Sequence, residues 1–294
     1  MQKGILFIAA LSTALFFGCE EDQTNKFLTE EEEAVIMEDA ASDNVIEAMD
    51  YEVDYYSSSQ ETIEGINEGN KKNSQWLRWR YADGVGPAVT VDPIGTAFPK
   101  TITLDYGDGI ELVNGRKISG KIIIDVSDRP LKDGATREIT LQNFYVDSVH
   151  IEGGATRTFT GTRDTERVFN NVSDLTITFA DSTVIYRTSE RTRTLVDGFE
   201  TLFRHSDDVI MIEGFVDYET SNGKTFSKTI INPLTKTGAC RFITEGTVSF
   251  TLNGENFAEL DYGDGSCDDV ATITKDGETR QITIGRRLRR FWRR

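Results

Sequence analysis

Few residues in this 294-residue chain are of the types that usually do chemistry. There are three cysteines, Cys19, Cys240 and Cys267, and two histidines, His150 and His205. A thiol can be acylated, ligate a metal or close a disulfide, and its compartment decides which. Each histidine falls in or near a strand-like run, and neither has a cysteine or carboxylate partner at ligand spacing. Aspartate is abundant, and one set is patterned. The hexapeptide LDYGDG occupies 104–109 and recurs at 260–265. Its Asp105, Asp108, Asp261 and Asp264 could offer oxygen ligands to Ca²⁺, although their spacing matches no EF-hand loop. The same residues also read as turn chemistry. Glycine supplies the positive φ of a corner, and Asp bonds the backbone close by. On that reading each copy is a corner between two strands.

No Ser sits in a G-x-S-x-G elbow, and no phosphate-binding or dinucleotide-binding glycine motif is present, so no cofactor is expected. With 49 acidic residues a pair of carboxylates could do hydrolytic work, for instance on a glycan. That is abundance rather than pattern. The primary expectation is therefore a non-catalytic protein, with a carboxylate-dependent hydrolase as the alternative.

The first nineteen residues say where such a protein works. Lys3 precedes an uncharged, mainly apolar run from 4 to 18 that ends in Gly18-Cys19. The run is short of the roughly 20 apolar residues a membrane-spanning helix needs. A positive start, a short apolar stretch and a small residue before the break describe a secretory signal. The segment resembles a bacterial lipoprotein signal, with Phe16 where such signals usually carry Leu. That resemblance implies removal of 1–18, acylation of Cys19, and a membrane partner reached through the lipid. Residues 19–28 then read as an acidic, flexible tether, because a polar segment buries too little apolar surface to order itself. Its Glu20-Glu21-Asp22 resembles the surface-export signals of Bacteroidota lipoproteins, and a plain solvated linker fits equally. The implied location is the outer membrane, at the cell surface or its periplasmic face.

Two general quantities support this. The formal charge of −17 argues against nucleic acid as a partner. Loss of Lys3 with the signal makes the balance one unit more negative. If Cys19 carries lipid, Cys240 and Cys267 are left in an oxidising compartment, free to pair. Hairpin geometry allows it. A two-residue turn at Asn253-Gly254 places Cys240 opposite Cys267 but turns Val248 and Phe250 away from Ala258 and Leu260. A three-residue loop joins the apolar residues and shifts the cysteines by one, unless a bulge falls near Gly263 or Gly265. Both registers bring the thiols within about one residue of each other, and a Cys240–Cys267 bridge is expected.

The elements that must position these groups are mostly strands. Residues 29–56 form the one clear amphipathic helix, with a Thr29/Glu32 capping box, acids in the first turn and apolar residues at helical spacing. It is expected to pack on its own domain rather than on a partner. A polar loop follows over 57–75. From 76 to 284 strand-like runs recur, at 101–106, 117–126, 136–151, 157–163, 174–180, 182–196, 209–219, 224–231, 241–252, 256–262, 270–274 and 279–284. The fold class is therefore all-β, mainly an antiparallel meander or a sandwich-like sheet. The runs RTFTGTR and RTSERTRT are polar on both faces, which suggests that part of the sheet is exposed.

The LDYGDG copies, the 246–248 alternation, the two cysteines and the TRQITI strand resemble uncharacterised Bacteroidota lipoproteins over about two thirds of the chain. The resemblance implies compartment and architecture without a mechanism. LDYGDG also resembles the turn of immunoglobulin-like PKD modules, with Leu104 and Leu260 where Trp is usual. The chain closes on an Arg-rich tail, 285–294, whose Phe291 and Trp292 suit anionic headgroups or an acidic partner. A frayed tail, or one folded onto the protein's own acids, fits as well. The sum is an exported, lipid-anchored binding or structural β module, with a glycan or envelope protein as its ligand.

Overall fold

The computed structural model describes residues 27–57, 78, 80–162, 164–200, 207–240 and 242–283. The signal, Cys19, nearly all of the tether, the loop after Ser57 and the Arg-rich tail lie outside the described residues.

Among the described residues one long helix, α1 (Glu30–Ser57), precedes fourteen strands. The first half of the strands comprises β1 (Ala88–Asp92), β2 (Lys100–Asp105), β3 (Ile110–Glu111), β4 (Lys117–Val126), β5 (Thr136–Val146), β6 (Val149–Thr162) and β7 (Glu166–Thr178). The second half comprises β8 (Val184–Asp197), β9 (Val209–Thr220), β10 (Thr225–Thr237), β11 (Glu245–Leu252), β12 (Glu255–Asp264), β13 (Val270–Lys275) and β14 (Glu278–Thr283). All belong to one open antiparallel sheet. From β4 to β14 each strand pairs with the next in sequence, and only the short β3 stands aside, on β4. The meander expectation holds. The sandwich and the PKD module do not, because the strands form one sheet and α1 supplies the second layer.

Two local readings change. The run 136–151 is not one strand but the β5–β6 hairpin, reversed at Asp147, whose φ is 57°. Asp147 tolerates that left-handed geometry, and its carboxylate accepts from the Lys117 backbone N–H at 2.8 Å. Strand β1 carried too short an alternation to be read.

α1 begins as its sequence requires. The Glu32 N–H donates to Thr29 Oγ1 at 3.2 Å, and the Thr29 N–H donates to Glu32 Oε2 at 2.7 Å. Its buried stripe runs through Val35, Asp39, Ser42, Val45, Met49, Glu52, Val53 and Tyr56. The spacing is helical, but acids interrupt the apolar series. Two apolar cores lie under it. Val45 to Tyr56 pack with residues of β1 to β7, and Val35 packs with residues of β8 to β13. The helix therefore closes on its own sheet.

The sheet must curl to meet it. Glu32 and Glu52 lie about 30 Å apart along the helix. The groups they bond, Lys275 on β13 and Tyr106 just beyond β2, are ten strand spacings apart, about 48 Å along a flat sheet. Glycines inside strands help it bend. Gly153 (φ 100°) and Gly214 (φ 120°) have strand neighbours so close that a Cβ would stand 2.2 Å from the Asp174 carbonyl oxygen and 2.1 Å from that of Glu190. No described helix is long and apolar enough to cross a membrane.

Candidate functional site

The helix-facing side of the sheet is where ionisable groups collect. α1 carries eleven acids and no base. It could not neutralise itself, and the sheet supplies the cations from strands far apart in sequence.

The first cluster lies near the helix middle. Arg187, Ser189, Arg191 and Arg193 recur at every second residue of β8 and so share one face. Arg187 Nη2 and Arg191 Nη2 each approach Asp43 Oδ1 at 3.1 Å, and Lys228 Nζ of β10 donates to Asp43 Oδ2 at 2.5 Å. Lys228 also donates to Asp39 Oδ2 at 2.8 Å, and the Tyr218 hydroxyl donates to Asp39 Oδ1 at 2.6 Å. Burial alone would raise the Asp43 carboxyl, but Arg191, Lys228 and Arg187 hold it well below the usual carboxylate range.

The second cluster closes the other core. Glu52 is fully buried and accepts from the hydroxyls of Tyr81 at 2.5 Å and Tyr106 at 2.7 Å. Arg80 Nη2 pairs with it at 2.6 Å. Burial and the Glu52 charge push the Tyr106 hydroxyl far above its ordinary pKa, so it stays a donor.

The third cluster is open. Arg157 of β6 donates to Asp50 and, at 2.6 Å, to Asp54 Oδ1. Arg137 Nη1 of β5 stands 3.5 Å from the same Asp54 oxygen, and Arg193 Nη1 lies 3.9 Å from both Asp50 and Asp54. Beside them lies a cavity of about 140 Å³ lined by Arg137, Arg157, Arg167 and Arg193, with Asp54, Asp208, Asn171 and an apolar wall that includes Phe169. Burial pushes the Arg137 guanidinium down to about 10; Asp54 opposes the shift and Arg157 adds to it.

These residues refine one expectation. The runs polar on both faces are exposed on one face only: Tyr186, Thr188 and Glu190 of β8 are exposed. On the other face arginines lie beneath α1, where Arg187 is 1% exposed and Arg157 5% exposed. A strand that alternates Arg with Thr or Ser resembles a surface strand until its acidic lid is known. The available signal was the helix itself, all acid on one element against arginines on others.

The cysteines expected to meet do so. Cys240 and Cys267 are bonded, with Cα atoms 5.7 Å apart. Both candidate registers occur in turn. Leu252 pairs with Glu255, as a two-residue turn requires. A shift between Phe250 and Thr251 then sets Phe250 against Ala258 and Val248 against Leu260. A second shift, between Glu245 and Thr247, brings Glu245 opposite Asp264 and carries the strands to the bridge.

The LDYGDG aspartates act on their own turns. Gly107 N–H donates to Asp105 Oδ1 at 3.0 Å, and Gly263 N–H donates to Asp261 Oδ1 at 2.8 Å. Asp105 also pairs with Lys121 at 2.7 Å, and Asp264 accepts from the Ser266 N–H at 3.2 Å. The two copies sit on β2 and β12, far apart in strand order, and do not come together. Among the described residues no three His, Cys, Asp or Glu side chains gather as a metal site would need. What the copies share is a tyrosine aimed at the helix. Tyr106 bonds Glu52, and Tyr262 lines a groove beside Asp39. His150 stacks on Tyr145 with ring centres 4.4 Å apart and lies outside all three clusters. Cys19, His205 and the Arg-rich tail lie outside the described residues.

No protein-family model, curated protein or solved structure matches the chain.

Proposed function

We propose that this chain is an exported, lipid-anchored cell-envelope protein, held at the outer membrane by an acylated Cys19, whose β sheet is a non-catalytic binding or structural module. Residues 1–19 carry the anchoring part. The observation that supports the non-catalytic part is how the ionisable groups under α1 are engaged. Asp39, Asp43, Asp50 and Glu52 of the helix are each ion-paired to a cation of the sheet side. The buried charges under α1 join helix to sheet, as cohesion requires. The bridge between Cys240 and Cys267 suits an oxidising compartment. A glycan or an envelope protein is the proposed ligand, and the membrane is reached through the lipid.

The hydrolase remains the second reading, because Asp54 and Asp208 line one cavity. Asp54 is ion-paired to Arg157 at 2.6 Å, so the fold already engages it.

Fractionation tests the anchor. Cys19→Ser should move the protein from the membrane fraction to the soluble one, and persistence in the membrane would end the lipid reading. Protease shaving of whole cells reports which face the domain occupies. Crosslinking in the envelope followed by pull-down identifies the ligand. Turnover of an envelope glycan that is lost in Asp208→Asn would put the hydrolase first.

A further inference from the structure

The arginine cavity holds more cation than its fold consumes. Arg157 is satisfied by two carboxylates, Asp50 and Asp54. Arg167 Nη2 donates to the Phe199 carbonyl at 2.6 Å. Arg137 and Arg193 are different. Arg137 has a side chain only 5% exposed, yet its contact with Asp54 is 3.5 Å, longer than a charge-assisted hydrogen bond. Arg193 reaches no carboxylate nearer than 3.9 Å. Neither guanidinium donates a hydrogen bond to a described residue. Asp54 is thus shared by three guanidiniums and fully engaged by one. A guanidinium presents five N–H donors in a rigid fork. No nitrogen of Arg137 or Arg193 is a fully buried atom without a partner, so the donors that the protein does not engage face the solvent of the cavity. An anion arriving in the cavity would supply acceptors for them.

The walls narrow the kind of anion. A cavity of about 140 Å³ is close to the ~150 Å³ that accepts a benzene ring in a protein core. A pyranose acid is larger than benzene, so it would seat its acidic edge in the cavity and leave the rest of the sugar at the open mouth. One wall is apolar, with Leu131, Leu195, Ile210 and the Phe169 ring, over which Arg137 lies at 5.6 Å. The rest of the lining is polar: four guanidiniums, Asn171 and the two carboxylates Asp54 and Asp208, so cations outnumber acids. Arg193 and Asp54 are 27% and 44% exposed.

We propose that this cavity binds an oxyanion, a carboxylate or a sulfate ester, carried on a six-membered ring, with Arg137 and Arg193 taking the oxyanion and Phe169 the ring face. This deepens the binding-module reading by naming a ligand class, and it rests on that reading. The acidic ring belongs to a glycan bearing uronic acid or sulfated sugar. A planar carboxylate offers two terminal oxygens and a tetrahedral sulfate ester three, and either can accept two N–H bonds from a guanidinium fork.

Calorimetric titration of the purified full chain tests the site, with sodium glucuronate, glucose 6-sulfate, glucose and inorganic sulfate as probes. One of the two ringed anions should bind, glucose should not, and binding should weaken as salt rises. The stronger of the two anions identifies the source. Arg193→Ala should weaken binding about tenfold, the loss expected for one charge-assisted hydrogen bond. It should leave the unfolding midpoint near that of the parent, since Arg193 is partly exposed and makes no close pair. Arg137→Gln should act in the same direction. Four results would overturn the proposal: no probe binding at all, glucose binding as well as glucuronate, inorganic sulfate binding better than either ringed anion, or Arg193→Ala and Arg137→Gln both binding unchanged. Failure of every probe ends the site but leaves the module reading standing, because crosslinking to an envelope ligand in a strain carrying Arg193→Ala tests that separately.

Discussion

Asp43 meets Arg187, Arg191 and Lys228 within 3.1 Å, three cations drawn from β8 and β10, and shares only Lys228 with a second helix acid, Asp39. Removing it does more than delete contacts, because the cations stay behind under the helix. Arg187 and Lys228 are buried but Asp43 is itself 32% exposed, so Asp43→Ala should cost less than the roughly 3 to 5 kcal/mol of breaking a fully buried ion pair. Urea unfolding at neutral pH measures it. The same site sets an acid limit. The folded carboxyl titrates far below the ordinary aspartate value near 4, so its contribution is complete above that pH. As pH falls below about 4 the unfolded chain takes up a proton that the folded chain refuses, and stability is lost. Unfolding free energy followed from pH 7 to pH 2.5 should therefore drop below pH 4, and more gently in Asp43→Asn. Glu32, lowered by Lys275 against its own burial, adds to the loss in the same direction.

The elements divide by how much of them was readable. The helix was legible almost to the residue, because Thr29 and Glu32 cap it through local bonds that sequence spacing dictates. Most strands were legible from alternation. The β5–β6 hairpin was not, since Asp147 reverses the chain without a glycine or proline to mark it. Nor was the purpose of β6 and β8. Their arginines are buried by a partner more than 100 residues away, and alternation within a strand cannot say which face is covered. The cavity was illegible for the same reason, being assembled from five strands and a helix end. Curvature has a sequence mark, the glycines within strands. Gly214→Ala would force a Cβ to 2.1 Å from the Glu190 oxygen in a left-handed conformation. It should destabilise by more than about 2 kcal/mol, as strain at a special φ with a backbone clash does. The same change at Gly223, where no atom lies near the missing Cβ, should cost less. Thermal melts of the two variants provide the comparison.

At the scale of the molecule, one covalent bond reinforces the far end of the sheet. Cys240–Cys267 closes 27 residues of chain around β11 and β12. Loop-closure entropy puts its contribution at about 3.5 kcal/mol. Reduction, or paired Cys→Ser changes at both positions, should lower the unfolding free energy by that order. If stability is unchanged under reductant, the bridge adds nothing.

The meander and the helix also impose an order of assembly. A sheet in which each strand pairs with its successor can be added to strand by strand as the chain is made, every new edge waiting only for the next hairpin. The helix leads the chain but cannot finish with it. Its first turn is tied to Lys275 on the penultimate strand, 243 residues later. A chain halted before β13 would carry a row of acids with its last counter-ion still to come. Truncation after Asp269 should therefore leave residues 30–37 open to a glutamate-specific protease that the full chain resists. The helix thus acts as a completion check, seated at its leading end only when the sheet has been made to its end.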